Sequence, residues 1–248
     1  MISASIIIPV KDEFINLKFI LPILKKKYNF CQIIIIDKSS LNQKKKIKKI
    51  CQKFSIKMIN QITSGKGNAL REAVKFTKKK YLIFFDSDCS HNPHDISRFL
   101  KLFNKFSWID HIGGSRLTGG SDELFNGYDH ILRFFGSIVI NITINFKFNG
   151  RFTDSQNGFR GIKREKFIKL NTKSNHTTIE MELVALSLSN NLNYIEIPTR
   201  EYKRNSGISK ISLIKHSFSY LLMLIKIIFM KKRSKDIFYL KRKYWDNY

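Results

Sequence analysis

Residues 81–96 read YLIFFDSDCSHNPHDI, and the break in the middle of that stretch decides the fold. Positions 81–85 are a run of β-favouring apolar residues, short enough for a buried strand, and the run stops abruptly on Asp86-Ser87-Asp88. A strand buried on both faces belongs to a mostly parallel sheet, and such sheets gather their ligands outside the carboxyl ends of their strands. Two carboxylates two positions apart at such an end are placed to share a divalent cation, and hard carboxylate oxygen suits Mg²⁺ or Mn²⁺.

Working back toward the start, the same unit repeats. Residues 5–10 form a short apolar run, 14–27 carry helical spacing through Leu17, Ile20, Leu21 and Leu24, and 32–36 read as a second buried strand. A basic helix over 43–54, a strand over 57–62 and a helix over 68–79 follow before the stretch first quoted. Strands alternating with helices at this spacing predict an α/β fold, a mostly parallel central sheet with helices on both faces. Asp12, Asp37 and Asp86 then fall at or just past strand ends, along one rim.

The downstream half has another texture. In 130–147, Arg133, Ser137, Asn141 and Asn145 recur every four residues and so share one helix face, with apolar residues on the others. In 211–230, Ser212, Lys215, Ser219 and Lys226 make a narrow polar stripe, followed by Lys231, Lys232 and Arg233. A wide apolar face, a thin polar stripe and basic flanks suit a membrane interface, and an ordinary core helix is the competing reading. The chain divides on this basis into a domain over 1–210, with an interface helix at about 130–147, and a membrane-associating helix with a basic tail over 211–248.

Composition bounds the rest. The 248 residues suffice for one sizeable core, and 43% hydrophobic content excludes a disordered chain. The formal net charge of +26 favours anionic partners, although Lys, Ile, Asn and Phe are abundant throughout. Cys31, Cys51 and Cys89 are odd in number and spaced for neither a zinc site nor a disulfide framework. The apolar start is too short for a signal-peptide core, and no run of about 18 uncharged apolar residues occurs. The aromatics sit in apolar stretches rather than between basic residues, which argues against a nucleic-acid-binding protein.

Gly65-Lys66-Gly67, just before a helix, allows close backbone approach and offers a helix N-terminus and a point charge to a phosphate. It is not a Walker A loop, because no Ser or Thr follows the lysine.

In order, SIIIPVKDE (5–13), IIIIDKSS (33–40), GKGNALREA (65–73), the stretch first quoted, GGSRLTGG (113–120), TDSQNGFRGIKRE (153–165), TIEMEL (178–183) and YKRNSGISKIS (202–212) resemble one family. They look like the dolichol-phosphate mannosyltransferase-like, or polyprenyl-phosphate, branch of the family 2 glycosyltransferases. The resemblance implies a GT-A fold and transfer of a sugar from a nucleotide-sugar donor, with inversion, to a polyprenyl phosphate at the cytoplasmic face of a membrane. It implies that Pro9, Asp12, Glu13, Asp37, Lys38, Lys66 and Asp86 line the donor nucleotide. Lys38 stands where relatives carry a second acidic residue that helps read the base, which leaves the donor base open. Asp86 and Asp88 match the metal-binding Asp-x-Asp, and Ser90 stands where relatives often carry a Gln that reaches the metal. Arg116, Arg133, Ser137 and Arg204 match positions around the phosphates, with Lys203 a competitor for the role of Arg204. Catalysis is then carried by Asp88, Arg116, Arg133 and Asp154. A phosphate acceptor is already ionised and needs no general base, whereas a hydroxyl acceptor in polysaccharide or glycolipid synthesis, the rival reading, requires one. Helical spacing points Glu180 and Glu182 apart, one toward the cleft and the other toward solvent.

Overall fold

The computed structural model describes residues 2–123, 128–205 and 213–231; the side chains of 128–130, 132–133 and 213–216 lie outside that description. Among the described residues one seven-stranded sheet runs in the order β3-β2-β1-β4-β6-β5-β7. Its first half contains β1 (Ala4–Val10), β2 (Gln32–Asp37), β3 (Lys57–Asn60) and β4 (Tyr81–Phe84), all parallel. Its second half contains β5 (His111–Ser115), β6 (Arg160–Lys163) and β7 (Tyr194–Pro198). There β6 runs antiparallel to both β4 and β5, while β7 runs parallel to β5.

The isoleucine-rich strands explain the layering. Side chains alternate across a strand. Ile6, Ile8, Ile33 and Ile35 pack with α1 (Phe14–Lys27), α2 (Leu41–Lys53) and α4 (Ile96–Lys105) through Leu17, Leu21, Ile47 and Phe99. Ile7, Ile34 and Ile36 face the other way, onto α3 (Lys66–Val74), α7 (Arg164–Leu170) and α8 (Ile179–Ser189), through Ala69, Leu70, Phe167 and Leu183. Burying each such Ile contributes roughly 1.5–3 kcal/mol, enough to fix the register against a one-residue slip.

Beyond α8 lies a further layer of two long helices, α6 (Tyr128–Phe148) and α9 (Leu213–Phe229). Ile140, Ile144, Met223 and Ile227 meet Met181, Val184 and Leu188 of α8. The α9 helix is thus packed into this layer; residues 206–212 and 232–248, the remainder of the expected C-terminal segment, lie outside the described residues. No helix among the described residues is long and apolar enough to cross a membrane.

Some boundaries differ from the sequence reading. The third strand ends at Asn60, not at 62, because the Ile62 and Thr63 N–H groups donate to the Glu72 carboxylate instead of a sheet neighbour, at 2.8 and 2.9 Å. The following helix begins at Lys66 rather than 68 and ends at Val74 rather than 79. Gly65 makes the early start possible: its φ of 109° and its contact with the Asn175 carbonyl exclude a side chain. The preceding helix begins at Leu41 rather than 43, because Ser40 closes its first turn through its carbonyl, which accepts from Lys44 N–H at 2.8 Å.

Candidate active site

The carboxyl ends of the parallel strands open into a cavity of about 820 Å³. Its described lining carries six carboxylates (Glu13, Asp86, Asp88, Glu123, Glu180, Glu201) and five cations (Lys11, Lys38, Lys66, Arg116, Arg204). In a chain of net charge +26 that near-balance puts the positive excess outside the described lining.

On one wall, β4 delivers Asp86 and α3 delivers Lys66. The Lys66 Nζ lies 2.5 Å from both Asp86 Oδ1 and Glu180 Oε1. Burial alone would lower the Lys66 pKa, but the charges of Asp86 and Glu180 overcome it and hold the ammonium above its usual range. Burial likewise pushes Asp86 up, and the Lys66 charge more than reverses this, so Asp86 titrates below the usual carboxylate range. Glu180 stays raised, by burial first, with Lys66 offsetting only part and Asp86 adding repulsion. Gly158 keeps this junction open, since a Cβ there would meet Asp86, Lys66 and Glu180.

Asp88 follows two residues later. Its Oδ1 accepts from the Ser90 N–H at 3.0 Å and the Ser90 hydroxyl at 2.6 Å, and its Oδ2 accepts from Arg204 at 2.8 Å. The same guanidinium reaches Glu13 Oε1 at 3.3 Å. Arg204 is brought here by a strap in which Tyr202 N–H donates to the Ser90 carbonyl at 2.7 Å and Glu201 bridges to His91. Ser87 fixes the turn by donating to the Pro9 carbonyl at 3.0 Å.

In the ion pairs among the described residues, four carboxylates, Glu13, Asp86, Asp88 and Glu180, meet two cations, Lys66 and Arg204. That surplus of negative charge, with two carboxylates flanking Ser87, fits Mg²⁺ or Mn²⁺ held by one or two carboxylates and completed by substrate phosphates. No cluster of three or more His, Cys, Asp or Glu suited to a metal occurs among the described residues.

The rest of the donor set sits at the neighbouring strand ends. Pro9 and Lys38 line the cavity, whereas the exposed Asp12 and the buried Asp37 are not among its lining residues. Asp12 ties β1 to β2, accepting from Ser40 N–H at 2.8 Å and from its hydroxyl at 2.9 Å. Asp37 is fully buried; burial raises its pKa, although Ser39 donates to its Oδ1. Lys38 turns its ammonium onto the carbonyls of Ile62 at 2.8 Å and Gln61 at 3.3 Å.

The opposite wall is built around Arg116, the first residue of the short α5 (Arg116–Gly119). Asp154 grips it through Nε at 2.7 Å, through a terminal nitrogen at 3.1 Å and through its backbone N–H at 3.1 Å. Glu201 adds a contact at 3.3 Å. Burial would lower Arg116, but both carboxylates hold it well above its ordinary value; Asp154, pushed up by burial, is drawn down below its own by Arg116. Arg116 lines the cavity, and Asp154 is not among the lining residues.

Ser137 reaches the cavity from α6 and donates to the Phe134 carbonyl at 2.7 Å. The side chain of Arg133 lies outside the described residues. Asn141 and Asn145, on the same face, hold the loop leading to Asp154: Asn141 donates to the Thr153 carbonyl and Asn145 to that of Phe152, at 2.5 and 2.7 Å. Asn141 and Asn145 of the α6 stripe thus face protein, while Phe135, Val139, Ile142 and Phe146 are exposed, Phe146 at 88%. On α9, Phe218, Leu221, Ile225 and Phe229 are exposed likewise.

One expectation is corrected. Glu182 does not face solvent; it is buried and accepts from the N–H groups of Lys173 and Ser174, both at 2.8 Å, thereby holding the segment behind Gly65 and Gly67. Helical spacing separates Glu180 from Glu182, but α8 is buried on both sides. Glu201 and His91 also line the cavity, and no spacing in the sequence marks either.

Comparison with known proteins places this geometry. Residues 5–170 match the family described as glycosyl transferase family 2. The uncharacterised protein MJ1222 of Methanocaldococcus jannaschii is 28% identical over 211 residues, covering 81% of this chain and 84% of that one. Glycosyltransferase AglJ of Haloferax volcanii is 25% identical over 179 residues, 72% of this chain and 56% of the relative, so the match spans little more than half of AglJ. Among solved structures, glucosyl-3-phosphoglycerate synthase from Mycobacterium tuberculosis, in complex with Mn²⁺, uridine diphosphate and glucosyl-3-phosphoglycerate, superposes with a TM-score of 0.70. That alignment covers 91% of this chain and 80% of that one at 13% identity, a likeness of fold.

Proposed function

The chain belongs to glycosyl transferase family 2 and has the GT-A fold, and from that premise we propose that it moves a sugar from a nucleotide donor to a polyprenyl phosphate at the cytoplasmic face of a membrane. One observation carries this reading. A single cavity passes from the carboxylates at the sheet rim, past Arg116, to Val139 and Ile140 of α6 and Leu221 and Leu224 of α9. Those two helices expose apolar side chains on their outer sides, and Lys226 and Lys231 are exposed beside them. A diphosphate at one end, an anionic acceptor at Arg116 and a hydrocarbon tail leaving between two apolar helices match that sequence of surfaces. The Mn²⁺ and uridine diphosphate bound by the solved neighbour support a divalent cation and a nucleotide donor here.

Asp86 and Asp88 would hold the cation, with the Ser90 hydroxyl bracing Asp88. When bound, the cation offsets charge on the departing nucleoside diphosphate. Lys66 adds a fixed positive charge, kept in place by Glu180. Arg204 pairs with Asp88 and Glu13 in the described structure and becomes available to the phosphates once a cation satisfies those carboxylates. Arg116, locked by Asp154, orients the acceptor for single displacement with inversion. Asp154 is spent on Arg116, which agrees with an acceptor that needs no deprotonation.

The test is incubation with membranes, Mg²⁺ or Mn²⁺ and a panel of labelled nucleotide sugars, with and without chelator. A chelator-sensitive, mild-acid-labile lipid product is expected. If no donor labels lipid while a hydroxyl-bearing glycan is labelled, the polyprenyl-phosphate reading fails.

A further inference from the structure

Beside Asp154 stands a second carboxylate that is not among the cavity's lining residues and, among the described residues, forms no ion pair. Glu196 lies on β7, opposite Gly113 of β5. Its Oε2 accepts from the Thr153 N–H at 2.6 Å and the Thr153 hydroxyl at 3.0 Å, and its Oε1 accepts from the Asp154 N–H at 2.8 Å. Both oxygens are thus committed to the two residues that set where Asp154 points. The Thr153 hydroxyl continues to Ser115 at 2.6 Å, the residue before Arg116. One carboxylate therefore ties the edge of the sheet to both members of the Arg116–Asp154 pair.

We infer that Glu196 is a positioning residue whose ionisation holds the Thr153–Asp154 loop, and through it Arg116, in the geometry that receives the acceptor. The inference rests on the reading above that Arg116 meets the acceptor phosphate.

The chemistry follows from donor and acceptor counting. An ionised carboxylate accepts all three bonds. A protonated one carries an O–H on one oxygen, which then accepts from a backbone N–H far more weakly, so protonation weakens at least one of these bonds and loosens the loop. The carboxylate sits where the two forms are close in energy. Burial raises it to about 7, the N–H groups of Asp154 and Thr153 oppose that shift, and the Asp154 charge adds to it. The charged and titratable groups around it are few. Asp154 faces it from the loop and carries Arg116 of α5. Tyr194 neighbours it on its own strand, its phenol raised by burial and then by the Glu196 charge. Arg160 of β6 acts on both Asp154 and Tyr194, and His111 of β5 stacks edge-on against Tyr194 at 4.9 Å.

The experiment follows the backbone amides of Thr153 and Asp154 by NMR across pH, in the full chain and in Glu196→Gln and Glu196→Asp. The acceptor and donor KM values are measured over the same range. In the wild type both amides titrate together with a midpoint of about 7. Below that midpoint the acceptor KM rises about tenfold or more while the donor KM stays within about twofold, the pattern of a misplaced acceptor contact. Glu196→Gln abolishes the amide titration and flattens that part of the KM profile, leaving only the limb from the acceptor phosphate itself, whose second pKa is about 6. Glu196→Asp keeps a carboxylate and restores an amide titration, with an acceptor KM between the other two. Amides that do not titrate, or that titrate unchanged in Glu196→Gln, overturn the inference whatever the enzyme transfers. Amides that titrate as expected, in a protein that labels no lipid from any donor, leave the loop switch standing and sink the proposed reaction instead.

Discussion

The two walls of the cleft are built on different plans. The wall bearing Lys66, Asp86 and Asp88 hangs from the ends of parallel strands and the start of a helix, which place the three backbones locally, while Glu180, 114 residues from Lys66, and Arg204, 116 from Asp88, pair with their side chains. The wall bearing Arg116 is a set of clamps between distant segments: its partner Asp154 is 38 residues away and Glu201 is 85 away. The first wall carries surplus negative charge, four carboxylates to two cations, and suits a metal and a diphosphate. In the second, every carboxylate is committed to holding one arginine or the loop beneath it. One wall therefore collects a ligand's charge, while the other spends its own charge on aiming a side chain.

That contrast predicts a ranking of effects. The largest belongs to the metal-bearing wall: Asp88→Asn is expected to lower turnover by about 10³-fold and to abolish Mn²⁺ binding followed by electron paramagnetic resonance. Retained Mn²⁺ affinity in that variant would erase the distinction between the walls. Next come Asp154→Asn and Arg116→Lys, each expected to cost about 10²-fold in transfer, with the double variant little worse than either single one. Additive losses would mean that Asp154 acts on substrate directly and not through Arg116.

Legibility follows the same division. Tyr81–Phe84 and the pair Asp86/Asp88 could be read because a buried strand ending on charge is a local pattern, and the strand alternation placed Asp12, Asp37 and Asp86 on one rim. The clamp could not be read in that way. Resemblance alone marks Arg116 and Asp154, and nothing marks Glu201, beyond the end of β7, or Glu196, because a carboxylate on a strand looks the same whether it faces solvent or a loop 43 residues away. The α6 stripe shows the limit well: four-residue spacing grouped Ser137, Asn141 and Asn145 correctly, yet periodicity cannot say which side of a helix is covered. Glu182 went astray for the same reason, since α8 has no solvent face to offer it.

Arg204 joins the walls and gives a third, smaller test. Because it pairs with Asp88 as the chain stands, Arg204→Gln should bind Mn²⁺ alone about tenfold more tightly while turning over more slowly. Weaker Mn²⁺ binding would show that Arg204 does not compete with the cation. Asp154 also bears on acid stability. Its pKa is depressed in the fold, so the stabilisation is present above the unfolded value of about 3.9 and is lost as pH falls through the folded one. A guanidinium-melt series is expected to show Asp154→Asn narrowing the stability gap between neutral and acid pH relative to wild type. The smallest single effects belong to the outer helices. Phe146→Ser and Phe229→Ser, at side chains 88% and 82% exposed, should each weaken sedimentation with anionic vesicles several-fold and leave the melting temperature within a few degrees.

The central claim is settled most directly by acceptor choice. The purified chain is reconstituted with vesicles containing either a polyprenyl phosphate or the matching polyprenol, Mn²⁺ and the labelled donor that proves active. The account predicts a mild-acid-labile glycosyl phospholipid from the phosphate and none from the alcohol; labelling of the alcohol, or of a soluble hydroxyl acceptor, with the phosphate lipid left untouched would contradict it.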